Sequence, residues 1–123
     1  MGSSASKFLR LGGLVDSRQQ RVAKNEALFR QVNERIEEVN DELEERGESD
    51  FLCECGDDDC TAPIRLTLAE YEAVRSIPTH FAIAKGHEVI DVEKVINETD
   101  RFTVVEKLAG EAGRIAVETD PRR

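Results

Sequence analysis

Phe51-Leu52-Cys53-Glu54-Cys55-Gly56-Asp57-Asp58-Asp59-Cys60-Thr61-Ala62-Pro63-Ile64-Arg65-Leu66 holds all three cysteines of the chain, crowded into eight positions. The residues between them are turn formers, so the backbone can fold three sulfurs around one point. Gly56, directly after Cys55, supplies the tight turn needed if backbone N–H groups are to face the sulfurs. Zinc takes four soft or borderline ligands in a tetrahedron, and thiolates with a neutral imidazole are such a set. Two histidines are available for the fourth place. His87 sits between Gly86 and Glu88 in a predicted turn at the end of a strand, where its ring can swing inward with Glu88 supporting it. His80 follows Pro78-Thr79 at a strand entrance and reads as a half-exposed polar residue. The expected site is therefore Zn2+ on Cys53, Cys55, Cys60 and His87, with Asp57, Asp58 and Asp59 as a solvated loop tip or, alternatively, an oxygen donor.

Three other readings compete. The cysteines could be buried and unligated. An iron–sulfur cluster on three Cys and one His is possible in principle, but the spacing matches none of the standard cluster runs. A redox switch on Cys53 and Cys55 is opposed by the neighbouring aspartates, whose charge raises thiol pKa values and blunts reactivity. An odd number of thiols also makes a poor disulfide framework.

Upstream, residues 16–47 read as one long charged amphipathic helix. Val22, Phe29, Val32, Ile36, Val39 and Leu43 form a heptad seam with Asn25 in the skipped place, Asp16 or Ser17 as cap, and Gly47 as stop. Arg18, Arg21, Lys24 and Arg30 lie toward the positive dipole end, while Glu34, Glu37, Glu38, Asp41, Glu42, Glu44 and Glu45 crowd the negative end. A homodimer through residues 16–46, with antiparallel helices, would offset that order; docking of the stripe on its own domain is the other reading. At about 1.5 Å per residue the helix should outreach the remaining globule. Residues 1–15 read as a flexible N-terminus. The start Met1-Gly2-Ser3-Ser4-Ala5-Ser6 fits the N-myristoylation pattern on Gly2, as a cloning remnant or chance match would.

Downstream, residues 48–120 read as a zinc-binding α+β domain and residues 121–123 as a polar tail. Thr67 and Glu70 make a capping box for a helix that puts Leu68, Tyr71 and Val74 inward and ends at Pro78. Glu70, Glu72 and Arg75 are expected in intrahelical links on an exposed face, and Tyr71 with its hydroxyl at the core rim. A strand from His80 to Lys85, a short helix over Val89–Asn97, a strand over Arg101–Leu108 pairing with the first, and a helix over Gly110–Thr119 complete the reading. The expected fold is α+β: a long N-terminal helix, then a small zinc-stabilised domain with a short antiparallel sheet and two or three short helices.

With 123 residues, 35% charged and 5% aromatic, the core should be modest. The net charge of −9 opposes phosphate backbones, which makes a protein the expected partner and nucleic acid an unexpected one. No run reaches the ~20 apolar residues of a membrane span. Reduced thiols and a cytoplasmic setting are expected, with no membrane contact unless Gly2 is acylated.

The stretch from Phe51 to Lys107 resembles a group of small bacterial proteins. They share Cys-x-Cys, a third Cys, a Leu-x-Glu-Tyr-Glu-x-Val-Arg helix, a Gly-His-Glu turn and a Val-Val-Glu-Lys strand, here Cys53 to Cys55, Cys60, Leu68 to Arg75, Gly86 to Glu88 and Val104 to Lys107. The resemblance supports His87 over His80 and implies no activity. P-loop, dinucleotide-turn and nucleophile-elbow motifs are absent from the sequence. The expectation is a non-enzymatic, regulatory protein-interaction module. A metal or thiol redox sensor that releases a partner on zinc loss is the alternative, and an enzyme would need an open metal position.

Overall fold

Alternation in Pro63-Ile64-Arg65-Leu66 sets the first sheet: Ile64 and Leu66 are buried while Pro63 and Arg65 face solvent. The computed structural model describes residues 10–43, 47–57, 59–60, 62–89, 92–108 and 110–122. Its elements are α1 (Arg10–Glu42), β1 (Glu48–Leu52), β2 (Pro63–Thr67), α2 (Leu68–Arg75), β3 (His80–Ile83), β4 (Glu93–Glu98), β5 (Thr103–Lys107) and α3 (Glu111–Glu118). β1 and β2 pair antiparallel from Glu48 with Thr67 to Leu52 with Pro63, which makes the cysteine segment the loop of a hairpin. The second sheet is antiparallel in the order β3-β5-β4. The fold is thus α+β as expected, with two small sheets where one was anticipated.

The capping box forms as read: Glu70 N–H donates to Thr67 Oγ1 at 3.1 Å and Thr67 N–H to Glu70 Oε1 at 2.8 Å. Pairing of β3 with β5 and the helix α3 also match the sequence reading. None of the described residues among 89–97 is helical. Val95 and Ile96 instead lie in edge strand β4, where β-branched side chains are favoured, and its ladder to β5 is irregular between Val95 and Asn97. α1 already runs from Arg10, so Asp16 and Ser17 lie inside it rather than capping it, and residues 10–15 are part of the helix. The acylation pattern at residues 1–6 lies outside the described residues.

α1 does dock on its own domain, but only part of the predicted seam turns inward: Ile36 packs against the core and Val22 lies against Gly56. Ala23, Glu26, Ala27, Arg30 and Asn33 are buried, whereas Val32 and Leu43 are exposed. Asn25 serves the domain too, donating to Gly56 O at 3.1 Å. Arg30 donates to Pro78 O and Ala116 O, both at 2.7 Å, and lies 4.5 Å above the Phe81 ring. The apolar core beneath includes Phe51, Ile64, Leu66, Tyr71, Val74, Phe81, Ile83, Phe102 and Val105. Phe51 and Tyr71 stack with ring centres 4.6 Å apart.

Charged side chains expected on the surface are structural. Arg75 is buried, with Nε 2.7 Å from Glu34 Oε2 and a second contact to Asp120. Glu70 pairs with Arg101 at 2.7 Å rather than within α2. Arg122, read as part of a solubilising tail, ties Glu34 and Glu37 of α1 to Glu72 of α2. Sequence spacing favoured local partners, while the fold supplies distant ones.

Lys107 is buried between Glu26 of α1 and Glu93 of β4. Burial, first among the causes and against the attraction of Lys107, pushes Glu26 up to about 7 from an ordinary 4.5. Between those values the folded chain keeps a proton that the unfolded chain releases. This contribution to stability is complete below the unfolded value and is lost as pH rises through the folded one. Relative to Glu26→Gln, the native chain's denaturation midpoint should fall as pH goes from about 5 to about 8. Parallel curves for the two proteins would show that Glu26 does not titrate in this range.

Candidate metal centre

The hairpin loop and one turn deliver the four expected ligands. Cys53 N–H closes the loop on Ala62 O at 3.1 Å, and Cys60 N–H donates to Asp57 O at 3.0 Å. The second turn is shut by His87 N–H to Ala84 O at 3.1 Å, with Gly86 at φ 84° in the place that demands positive φ. The sulfurs of Cys53, Cys55 and Cys60 and a ring nitrogen of His87 all lie within 4.8 Å of one another. His87 Nδ1 is 3.5 Å from Cys53 Sγ and 3.6 Å from Cys60 Sγ. For a tetrahedral zinc with bonds of about 2.3 Å to sulfur and about 2.0–2.1 Å to nitrogen, the S···N separation is about 3.6 Å. The donor set therefore fits a metal ion of that size in both chemistry and spacing.

Backbone N–H groups face the sulfurs as the glycine turn implied. Ala84 N–H donates to Cys53 Sγ at 3.1 Å, and the N–H of Asp57, the residue after Gly56, reaches the Cys55 sulfur. Gly56 has a second role. At φ 83°, a Cβ built there would come within 2.8 Å of Val22 and Glu26, so this turn sits directly against α1. Burial pushes the Cys53 thiol up, and the adjacent Cys55 and Cys60 push it the same way; Cys55 is raised by burial as well. A nearby cation reverses this balance by stabilising thiolate.

Of the other expected residues, His80 lies on β3 with Nε2 3.5 Å from Glu106 and is outside the cluster. Asp57 and Asp59 are exposed, with Asp59 N–H on Asp57 Oδ1 at 2.9 Å, as befits a loop tip. Asp58 lies outside the described residues, and Glu88 makes no hydrogen bond to His87 among them.

Sequence reasoning missed Glu54. This residue between the first two ligands is buried, and its carboxyl accepts from Asn33 Nδ2 at 2.8 Å, Tyr71 Oη at 2.8 Å and Ala82 N–H at 3.0 Å. Tyr71 is accordingly in the core with its hydroxyl, not at the rim. Glu54 N–H donates to Ala82 O at 2.9 Å, so the loop also lines the outer edge of β3. Burial raises the Glu54 carboxyl while its three donors oppose that shift. Nothing in the spacing distinguishes this glutamate from the loop's solvated acids.

Searches of family models, curated proteins and solved structures found no match to the chain. Among the described residues no helix is long and apolar enough to cross a membrane.

Glu54→Ala leaves three buried groups without their acceptor, and each such loss costs roughly 1–3 kcal/mol. The variant should lose about 3 kcal/mol or more in urea unfolding, with Glu54→Gln intermediate. Native-like stability of Glu54→Ala would show that the carboxyl is not the anchor of the loop.

Proposed function

We propose that the chain is a zinc-stabilised protein-interaction module without catalytic chemistry, working in a reducing compartment such as the cytoplasm. The observation that carries this reading is the closed set of three sulfurs and one imidazole nitrogen within 4.8 Å. Four protein donors leave no open coordination position, which is the mark of a structural zinc. Bound there, zinc would supply Lewis-acid charge to four ligands and a cross-link between the hairpin loop and the turn after β3. Such a site contributes on the order of 10 kcal/mol to folding, enough to matter for a core this small.

The residues divide the work. Glu54 and the N–H groups of Ala84 and Asp57 orient Cys53 and Cys55. Cys60 and His87 close the site from the solvent side. Function then belongs to the surface the metal holds in place, above all α1, which carries exposed Leu28, Val32 and Leu43.

A second reading, a metal or thiol sensor, is favoured by one observation. Cys53 and Cys55 are buried, while Cys60 is only half-buried and His87 is exposed. Oxidants and chelators would reach that side first, releasing zinc and with it a partner. Zinc loss on mild peroxide treatment, restored by reductant, would distinguish a sensor from a static module.

Elemental analysis of chain purified without a metal-chelating column should give about one zinc per chain. Cys55→Ser and His87→Ala should lose most of it, and His80→Ala should keep it. Less than about half a zinc on the native chain removes the proposal, and metal loss confined to His80→Ala would reassign the fourth ligand.

A further inference from the structure

The residues through which α1 meets the domain, Ala23, Glu26, Arg30 and Asn33, form one stripe. At about 100° per residue, Leu28, Val32, Arg35 and Val39 fall on the opposite side. There Leu28 is 53% exposed, Val32 39% and, a turn beyond Val39, Leu43 66%. The steps from 28 to 32, 35 and 39 alternate four and three, which is the spacing that keeps a stripe against a second helix. Exposed charge on this outer side is graded along the axis. Arg21 and Lys24 stand at one end and Glu42 at the other.

We infer that this outer face of α1 pairs with the same face of a second copy of the chain, with the two helices antiparallel. The inference rests on the reading of α1 as the interaction element and names its partner. Centred between Asn33 and Glu34, the pairing sets Leu28 against Val39 of the second copy and Val32 against the aliphatic stem of Arg35. It also sets Lys24 level with Leu43 of the second copy and next to Glu42, twice by symmetry. A parallel pair in register would oppose Lys24 to Lys24 and Glu42 to Glu42, so charge selects the antiparallel arrangement. Most of each domain packs on the other side of its helix, with the end of α3, Glu118 to Pro121, flanking Lys24 and Leu28. Apolar side chains in the seam supply affinity, and the graded charge fixes direction.

Sedimentation equilibrium of the full chain, with zinc assayed on the same samples, tests the pairing separately from the metal site. At low salt the native chain should have the mass of two copies and dissociate more readily at high salt. Val32→Glu and Leu28→Glu should both be monomeric with unchanged zinc. Lys24→Glu should weaken the dimer about tenfold, and adding Glu42→Lys should restore it. A native monomer at low salt, a dimer that survives Val32→Glu, or no recovery in the double charge exchange overturns the inference. Each of these results leaves the zinc content, and the proposal built on it, to stand or fall separately.

Discussion

A single buried carboxyl fixes the geometry on which the rest of this fold depends. Glu54 lies between two metal-ligand candidates and takes hydrogen bonds from α1 through Asn33, from α2 through Tyr71 and from β3 through Ala82. An unpaired carboxylate could not remain at that depth. The three donors must therefore be present together, which requires that the hairpin, both helices and the second sheet be assembled. In return, the Cys-x-Cys segment is held by the core whether or not a metal is bound. Asn33 extends the arrangement by pairing with both the N–H and the C=O of Leu52 at 2.8 Å, standing in for a neighbouring strand.

Polar burial recurs wherever α1 meets the domain. Arg30, Arg75 and Lys107 are all buried, and each is met by carbonyls or carboxylates from distant segments. Breaking such a pair is far more damaging than the net worth of the pair suggests, because it strands a charge in the interior. These contacts restrict α1 to one rotation and one height on the domain more strictly than an apolar stripe would. The same rotation turns Leu28 and Val32 outward. The position of the helix and the character of its free face thus have one cause.

What the sequence disclosed follows from how local each signal is. The capping box of Thr67 and Glu70, the β-branched run of β5, and the cluster of three cysteines with the Gly86-His87-Glu88 turn were legible because short spacing carries them. β1 was hidden, since Glu48-Ser49-Asp50 has no apolar alternation and becomes a strand through its pairing with β2. β4 was misread because Val92, Val95 and Ile96 fit a helical spacing, and only the ladder to β5 and the capture of Glu93 by Lys107 decide the matter. Arg75 and Arg122 were placed on the surface for the reason most charged residues are, and Glu54 carried no signal of its own. Their partners lie tens of residues away, where composition gives no hint of them.

The four-ligand site remains the centre of the account, because the loop geometry, the turn after β3 and the close approach of Gly56 to α1 all converge on it. X-ray absorption at the zinc edge of the purified chain observes that site directly. The expected result is a four-coordinate shell of three sulfurs at about 2.3 Å and one nitrogen at about 2.0–2.1 Å. A shell dominated by oxygen or nitrogen, or one with fewer than three sulfurs, would contradict it.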